Sequence, residues 1–126
     1  MCNVNRARPV NLNLFTIRFP LPAIVSILHR LSGVFLFLSI PIILWILDFS
    51  LTQDGFDVLH DWSGSFITMF LVWTVLAAFL YHLVAGVRHL LSDVHIGSSL
   101  QGGRRTALFV LVISFCLIIL AGIWLW

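Results

Sequence analysis

The chain has 126 residues, of which 60% are hydrophobic and 10% are charged, and its mean hydropathy is +1.08. This composition excludes a soluble globular protein and predicts an integral membrane protein. The chain contains neither lysine nor glutamate, so its net charge of +2 comes from arginines set against aspartates, a balance that indicates membrane topology and not nucleic-acid binding.

Three stretches of the chain are long and apolar enough to cross a bilayer, which needs ~20 apolar residues for each helix. We predict an all-α membrane protein with transmembrane helices over about residues 23–49, 64–92 and 107–126. Residues 1–22 form an N-terminal arm, and residues 1–126 make one membrane domain. The first apolar run has full span length, unlike a cleaved signal peptide, so we expect the arm to stay on the mature protein. Its prolines disfavour the alternative of a mitochondrial presequence.

The arginines near the helix ends predict the orientation of the three spans. They lie on the N-terminal arm and in the joint after the second span, which face the same side of the membrane. By the positive-inside rule this side is the cytoplasmic one. We therefore expect a cytoplasmic N-terminus and a periplasmic C-terminus. Four tryptophans then gather near the outer interface, where indole rings are favoured: Trp45, Trp62, Trp124 and Trp126.

Polar residues interrupt the first span close to its inner end. His29 and Arg30 lie about seven residues into the span, ~10 Å below the inner surface at 1.5 Å per residue. Ser26 lies three and four residues before them, so all three side chains can face one neighbouring surface. An arginine inside the bilayer costs at least ~2.5 kcal/mol on insertion scales, so Arg30 requires an anionic or strongly polar partner.

The second span carries a polar face near its inner end. His82, Gly86, His89 and Asp93 follow one another at helical spacing, with His82 ~15 Å deep by the same rise. An intramembrane histidine either hydrogen-bonds across a helix pair or binds a metal centre such as haem iron. The glycine would leave room for a flat macrocycle beside His82, and Arg88 would extend towards the headgroups. A proton channel or transporter is a third class, disfavoured by three helices without an internal repeat.

Two motifs resemble a known family. The stretch RPVNLNLFTIRFPLPAIVSILHRLS begins with R-P at Arg8 and ends with S-x-x-H-R at Ser26, and the motif H-x-x-x-G-x-R-H begins at His82. In this order, and with three spans, they resemble the bacterial cytochrome b membrane-anchor subunit of succinate dehydrogenase over nearly the whole chain. Ser92 and His95 depart from the family pattern, which usually has a bulky apolar and a small residue at these positions.

The resemblance implies a role for each matching residue. His82 matches an axial ligand of haem b, the other ligand coming from a second membrane-anchor subunit. His29 and Arg30 match residues beside the haem propionates. Ser26 and Arg30 match residues of a ubiquinone site, and Asp93 would lie at its edge and assist proton delivery.

The resemblance also implies partners and a location. An iron-sulfur subunit and a flavoprotein subunit would pass electrons from succinate towards ubiquinone at this chain, and the basic inner face would help them to dock. The chain would be a multi-pass protein of the bacterial inner membrane, surrounded by lipid and binding no nucleic acid. The alternatives are an anchor of a fumarate reductase working in reverse and a purely structural anchor without haem.

Overall fold

The computed structural model describes residues 19–95 and 99–126 and contains four helices. These are α1 (Leu21–Ser50), α2 (Gln53–Ser63), α3 (Phe66–Asp93) and α4 (Leu100–Leu125). Helices α1, α3 and α4 are long and apolar enough to cross a membrane, and the described residues form no strand. This confirms the predicted all-helical class with three potential spans. Most of the N-terminal arm, including Arg6, Arg8 and Arg18, lies outside the described residues.

Prolines mark the start of α1 but do not interrupt it. Pro20 is the N-cap, in an extended conformation, and Pro22 lies in the first turn, where the missing N–H group removes no intrahelical hydrogen bond. Pro41 lies inside the helix, which continues to Ser50. Inside a bilayer such a proline is tolerated where neighbouring groups satisfy the freed carbonyl.

The segment between the first two spans is largely helical, although no helix was predicted there. Thr52 caps α2 by accepting a hydrogen bond from the Gly55 N–H at 3.1 Å. Ser65 caps α3 in the same way, accepting from the Thr68 N–H at 3.2 Å. These hydroxyl groups satisfy backbone donors that each helix start leaves unpaired. The chain between α1 and α3 is therefore a short helix with defined ends.

Helix α4 differs from the predicted third span at its N-terminal end. It begins at Leu100, so its first turns include the residues that were expected to form a polar joint: Gly102, Gly103, Arg104 and Arg105. The Ser99 hydroxyl accepts a hydrogen bond from the Gly102 N–H at 3.0 Å and caps this end.

Small and β-branched residues fill the centre of the bundle, where α3 contacts both α1 and α4. Val25, Ala85 and Ala107 are fully buried, and Val110 is almost so. Small side chains let helix backbones approach closely, which is how transmembrane helices gain packing energy in lipid. Large apolar side chains instead point outwards, as lipid-facing or subunit-facing positions require.

An indole ring joins α3 to α4 further along the bundle. The Trp73 Nε1–H group donates a hydrogen bond to the Ile118 carbonyl oxygen at 3.1 Å. Gly122 makes room for the ring, since a Cβ atom built there would lie 3.1 Å from Trp73 Nε1. The absence of a side chain at position 122 therefore permits this contact.

Gly122→Ala is expected to destabilise the bundle by about 1–3 kcal/mol, because the new methyl group must displace the Trp73 ring or separate the helices. The measurement is the free energy of unfolding in mixed micelles of increasing denaturing-detergent content. Gly64→Ala is a matched control: a Cβ atom there meets nothing within 4 Å, so its effect should stay within about 0.5 kcal/mol. Equal effects of the two substitutions would contradict the prediction.

Candidate functional site

Histidines from α1 and α3 meet between the N-terminal part of α1 and the C-terminal part of α3. The rings of His29 and His82 are stacked, with centroids 4.1 Å apart and planes 16° from parallel. The ring centroid of His89 lies 5.0 Å from that of His29, and its plane is tilted by 37°. We call His29, His82 and His89 the histidine cluster. Their contact agrees with the depth estimates of ~10 Å for His29 and ~15 Å for His82, which placed both in the same half of the bilayer.

The Nδ1 atom of His82 is held by two oxygens of α1. It lies 3.0 Å from the Ser32 hydroxyl oxygen and 3.1 Å from the His29 carbonyl oxygen. The Ser32 hydroxyl itself donates to that carbonyl at 2.8 Å. Because a carbonyl oxygen only accepts hydrogen bonds, all three contacts are attractive only when Nδ1 carries the hydrogen. This tautomer leaves a lone pair on Nε2, the atom that neutral imidazole offers to a metal.

Glycines on both helices face the stacked rings. A Cβ atom at Gly33 would lie 3.0 Å from His82 Cε1, a tight contact, whereas one at Gly86 would lie 3.4 Å from His29 Nε2, an ordinary contact. Each helix thus presents a glycine to the histidine of the other, and the close approach of His82 depends on Gly33.

Tyr81 adds a second connection between α1 and α3 beside the cluster. Its hydroxyl donates a hydrogen bond to the Val25 carbonyl oxygen at 3.0 Å, and Val25 is fully buried. No role was predicted for Tyr81. Its phenol group lies inside a span and could have indicated such a hydrogen bond, since a polar group requires a partner in a bilayer.

Two ring nitrogens of the cluster are buried without a hydrogen-bond partner among the described residues, namely His29 Nε2 and His89 Nε2. Buried polar atoms in proteins nearly always have a partner, so each unpaired atom requires an explanation. Here the two atoms belong to rings in contact with each other. A polar or anionic group that entered between α1 and α3 would satisfy them.

Arg88 hydrogen-bonds to helix α4. Its Nε group donates to the Thr106 hydroxyl at 3.2 Å, and its Nη2 group donates to the Gly103 carbonyl oxygen at 3.3 Å. The side chain is half-buried and connects α3 to the first turns of α4. This contact was not predicted, because α4 begins before the expected position and brings these two oxygens within reach.

The remaining predicted site residues lie around the cluster. Ser26 is half-buried, whereas Arg30 and Asp93 are exposed. Successive helical residues are turned by ~100°, so Arg30 points to a different side of α1 than its neighbour His29. Ser26 and Arg30, four residues apart, share that side. The predicted residues therefore divide into the histidine cluster and the exposed residues Arg30 and Asp93, with the half-buried Ser26 between His29 and Arg30 around the circumference of α1.

Comparison of the chain with known proteins identifies its family. Residues 4–121 match the family described as succinate dehydrogenase/fumarate reductase transmembrane subunit. The chain belongs to this family. The match confirms the resemblance given by the two motifs, and it makes the chain a membrane-anchor subunit of the complex II type.

Individual relatives of this anchor subunit agree with the family match. The chain is 42% identical over 126 residues to a succinate dehydrogenase cytochrome b556 subunit of Coxiella burnetii, covering 98% of this chain and 100% of the relative. It is 33% identical over 122 residues to that of Paracoccus denitrificans, covering 95% and 94%. It is 29% identical over 128 residues to a cytochrome b560 subunit of Reclinomonas americana, covering 96% and 88%.

Proposed function

We propose that this anchor subunit binds haem b through His82 and forms part of the ubiquinone-reduction site of a succinate:ubiquinone oxidoreductase through Ser26 and Arg30. The observation that carries the proposal is the hydrogen bonding of His82 Nδ1 to two oxygens of α1. It fixes the ring and leaves Nε2 for iron. The cytochrome b556 and b560 names of the relatives support a haem.

This chain would contribute one imidazole ligand to a haem. His82 would bind the iron, and a second membrane-anchor subunit would supply the opposite ligand. A bound haem would supply a centre that accepts and returns one electron at a time. The chain's own contribution is to orient the His82 ring, through Ser32 and the His29 carbonyl, and to exclude water from it by helix packing.

We propose that His29 and Arg30 interact with the haem propionates. Arg30 is a cation on a spanning helix and needs an anionic partner there, which a carboxylate supplies. A carboxylate between α1 and α3 would also give His29 Nε2 the hydrogen-bond partner that it lacks among the described residues.

Ser26 and Arg30 would bind ubiquinone on the outward-facing side of α1. The hydroxyl and the guanidinium both donate hydrogen bonds, so together they can hold a quinone oxygen and stabilise negative charge as it develops there. Asp93 ends α3 and is exposed, and we propose that it holds a proton at the edge of this site.

The family match supports an assembly with further subunits. It would dock an iron-sulfur subunit, which receives electrons from a flavoprotein subunit, on the cytoplasmic side of the bacterial inner membrane. Arg104 and Arg105 are exposed in the first turns of α4 and would supply part of a basic docking rim. Lipid and the second anchor subunit would cover the exposed apolar surfaces of the helices.

An anchor of a fumarate reductase is the second candidate, because the family description includes both enzymes. The succinate dehydrogenase names of the relatives favour the first. The deciding experiment co-expresses the chain with its companion subunits and measures haem per complex, succinate:ubiquinone reductase activity and fumarate reduction by a quinol. Haem together with faster succinate oxidation supports the proposal. A complex that reduces ubiquinone without haem would exclude the proposed haem binding by His82. The alternative of a structural anchor without haem would then remain.

Ser32→Ala is expected to weaken haem retention by ~10-fold, the lower end of the effect of removing a hydrogen-bond partner from a metal-binding histidine. Haem content after detergent washing and the haem midpoint potential both report it. Ser32→Thr keeps a hydroxyl and should restore both. Ser39→Ala is the control, since the Ser39 hydroxyl donates to its own helix at the Phe35 carbonyl. A Ser32→Ala complex indistinguishable from Ser39→Ala would contradict the role of Ser32.

A further inference from the structure

Helix α2 is confined to a membrane surface by its connections. Only residues 51–52 separate it from α1, and only residues 64–65 separate it from α3. Both neighbouring helices are able to span a membrane. Such short connections cannot carry α2 away from the ends of two membrane-spanning helices. It therefore lies where lipid headgroups meet water.

The sequence of α2 separates into two faces, with Ser63 at its C-terminal end as the exception. At ~100° per residue the apolar residues and glycine fall within an arc of ~160°, which also contains Ser63, and the other polar residues fall within the opposite ~120°. The apolar face consists of Gly55, Phe56, Val58, Leu59 and Trp62. The polar face consists of Gln53, Asp54, Asp57, His60 and Asp61.

Contacts with α1 determine which face points away from the bilayer. Gly55 is buried, and a Cβ atom there would overlap the Phe49 carbonyl oxygen at the end of α1. The middle of the apolar face thus rests on the spanning helices, and the three aspartates point away from them. Phe56, at one edge of that face, and Trp62, towards its centre but in the last turn of the helix, remain 54% and 63% exposed. These two rings extend beyond the protein at the level of the headgroups.

We propose that α2 is an interfacial membrane-binding helix whose Phe56 and Trp62 side chains insert among lipid headgroups. Trp45 near the end of α1 and Ile67 near the start of α3 are also exposed, at 67% and 71%, so exposed apolar side chains precede and follow α2 along the chain, which supports lipid as the occupant. Aromatic rings are favoured at this depth. The helix carries three aspartates and no arginine or lysine, so insertion depends on apolar burial and requires no anionic lipid.

The test places single cysteines on the two faces in the assembled complex, with Cys2 and Cys116 replaced by serine. Phe56→Cys and Trp62→Cys probe the two exposed aromatic positions of the apolar face, and Asp57→Cys is the matched control on the polar face. Each variant is reconstituted in phosphatidylcholine vesicles and labelled with a small environment-sensitive fluorophore. Vesicles containing phosphatidylcholine brominated near the headgroup then report contact with lipid. Retained reduction of ubiquinone by succinate, which requires the membrane subunits, shows that each variant has assembled.

We expect brominated lipid to quench the labels at positions 56 and 62 and to leave the label at position 57 unquenched. A water-soluble maleimide should react with positions 56 and 62 at least ~10-fold more slowly than with position 57, because the apolar face is withdrawn from water. Equal reactivity at all three positions would overturn the proposal. Protection from the maleimide without quenching by lipid would also overturn it, since a protein subunit would then cover this face.

Discussion

His82→Leu is expected to abolish the six-coordinate haem spectrum of the assembled complex. Leucine has no nitrogen to replace Nε2, so a haem iron bound by His82 would lose this ligand even if the haem stayed in the complex. Because axial ligands set haem potentials over a range of ~0.8 V, we expect a midpoint shift on the order of 100 mV or the loss of the haem. Optical redox titration of the purified complex measures both outcomes.

His89→Leu is the matched control for this experiment. It removes an imidazole from the same face of α3, but one that lies against His29 at 5.0 Å and is absent from the hydrogen bonds that hold the His82 ring. We expect its haem spectrum to remain six-coordinate. An unchanged spectrum and potential in His82→Leu would exclude His82 as a ligand. Retention of the catalytic subunits in both purified complexes would exclude a general assembly defect.

Arg30→Leu is expected to lower ubiquinone reduction by succinate by ~100-fold, the usual loss when a positioned donor to a developing negative charge is removed. Ser26→Ala should give a loss of the same kind but smaller, because a neutral hydroxyl stabilises negative charge less than a guanidinium does. Steady-state assays in membranes with a short-chain ubiquinone measure kcat and KM separately. A decrease in kcat identifies an interaction made mainly in the transition state.

The control for both variants is succinate oxidation with a water-soluble dye that accepts electrons before the membrane subunits. This rate should stay at the wild-type value. Arg30→Lys keeps the charge but not the planar fork of donors, and should recover only part of the activity. If Arg30→Leu and Ser26→Ala both left ubiquinone reduction intact, the quinone site would lie elsewhere.

The sequence allowed prediction of the three long helices because each exceeds the length that crosses hydrocarbon. It did not allow prediction of α2, whose acidic residues resemble those of a solvated joint. The pattern in α2 becomes clear only when its 11 residues are arranged at helical spacing and Thr52 is identified as a cap. The early start of α4 was missed for a similar reason, since glycines and arginines disfavoured a helix there.

Within the site, depth was predictable and rotation was not. A rise of ~1.5 Å per residue was enough to place His82 and His29 in the same half of the bilayer, and the structure brings these rings into contact. Which neighbour a side chain meets depends on how each helix is turned about its axis, which packing decides. That is why Gly86 faces His29 and Arg88 faces α4, neither of which follows from spacing along one helix.

The hydrogen bond from His82 to α1 uses a main-chain oxygen, that of residue 29. A substitution at position 29 changes the stacked ring but leaves this acceptor in place. The orientation of His82 is thus encoded separately from the chemistry of the side chain beside it. Descendants of this sequence can therefore carry another residue at position 29. Such a change would alter the polarity beside a group bound at His82, while the His82 ring would keep the orientation that presents Nε2.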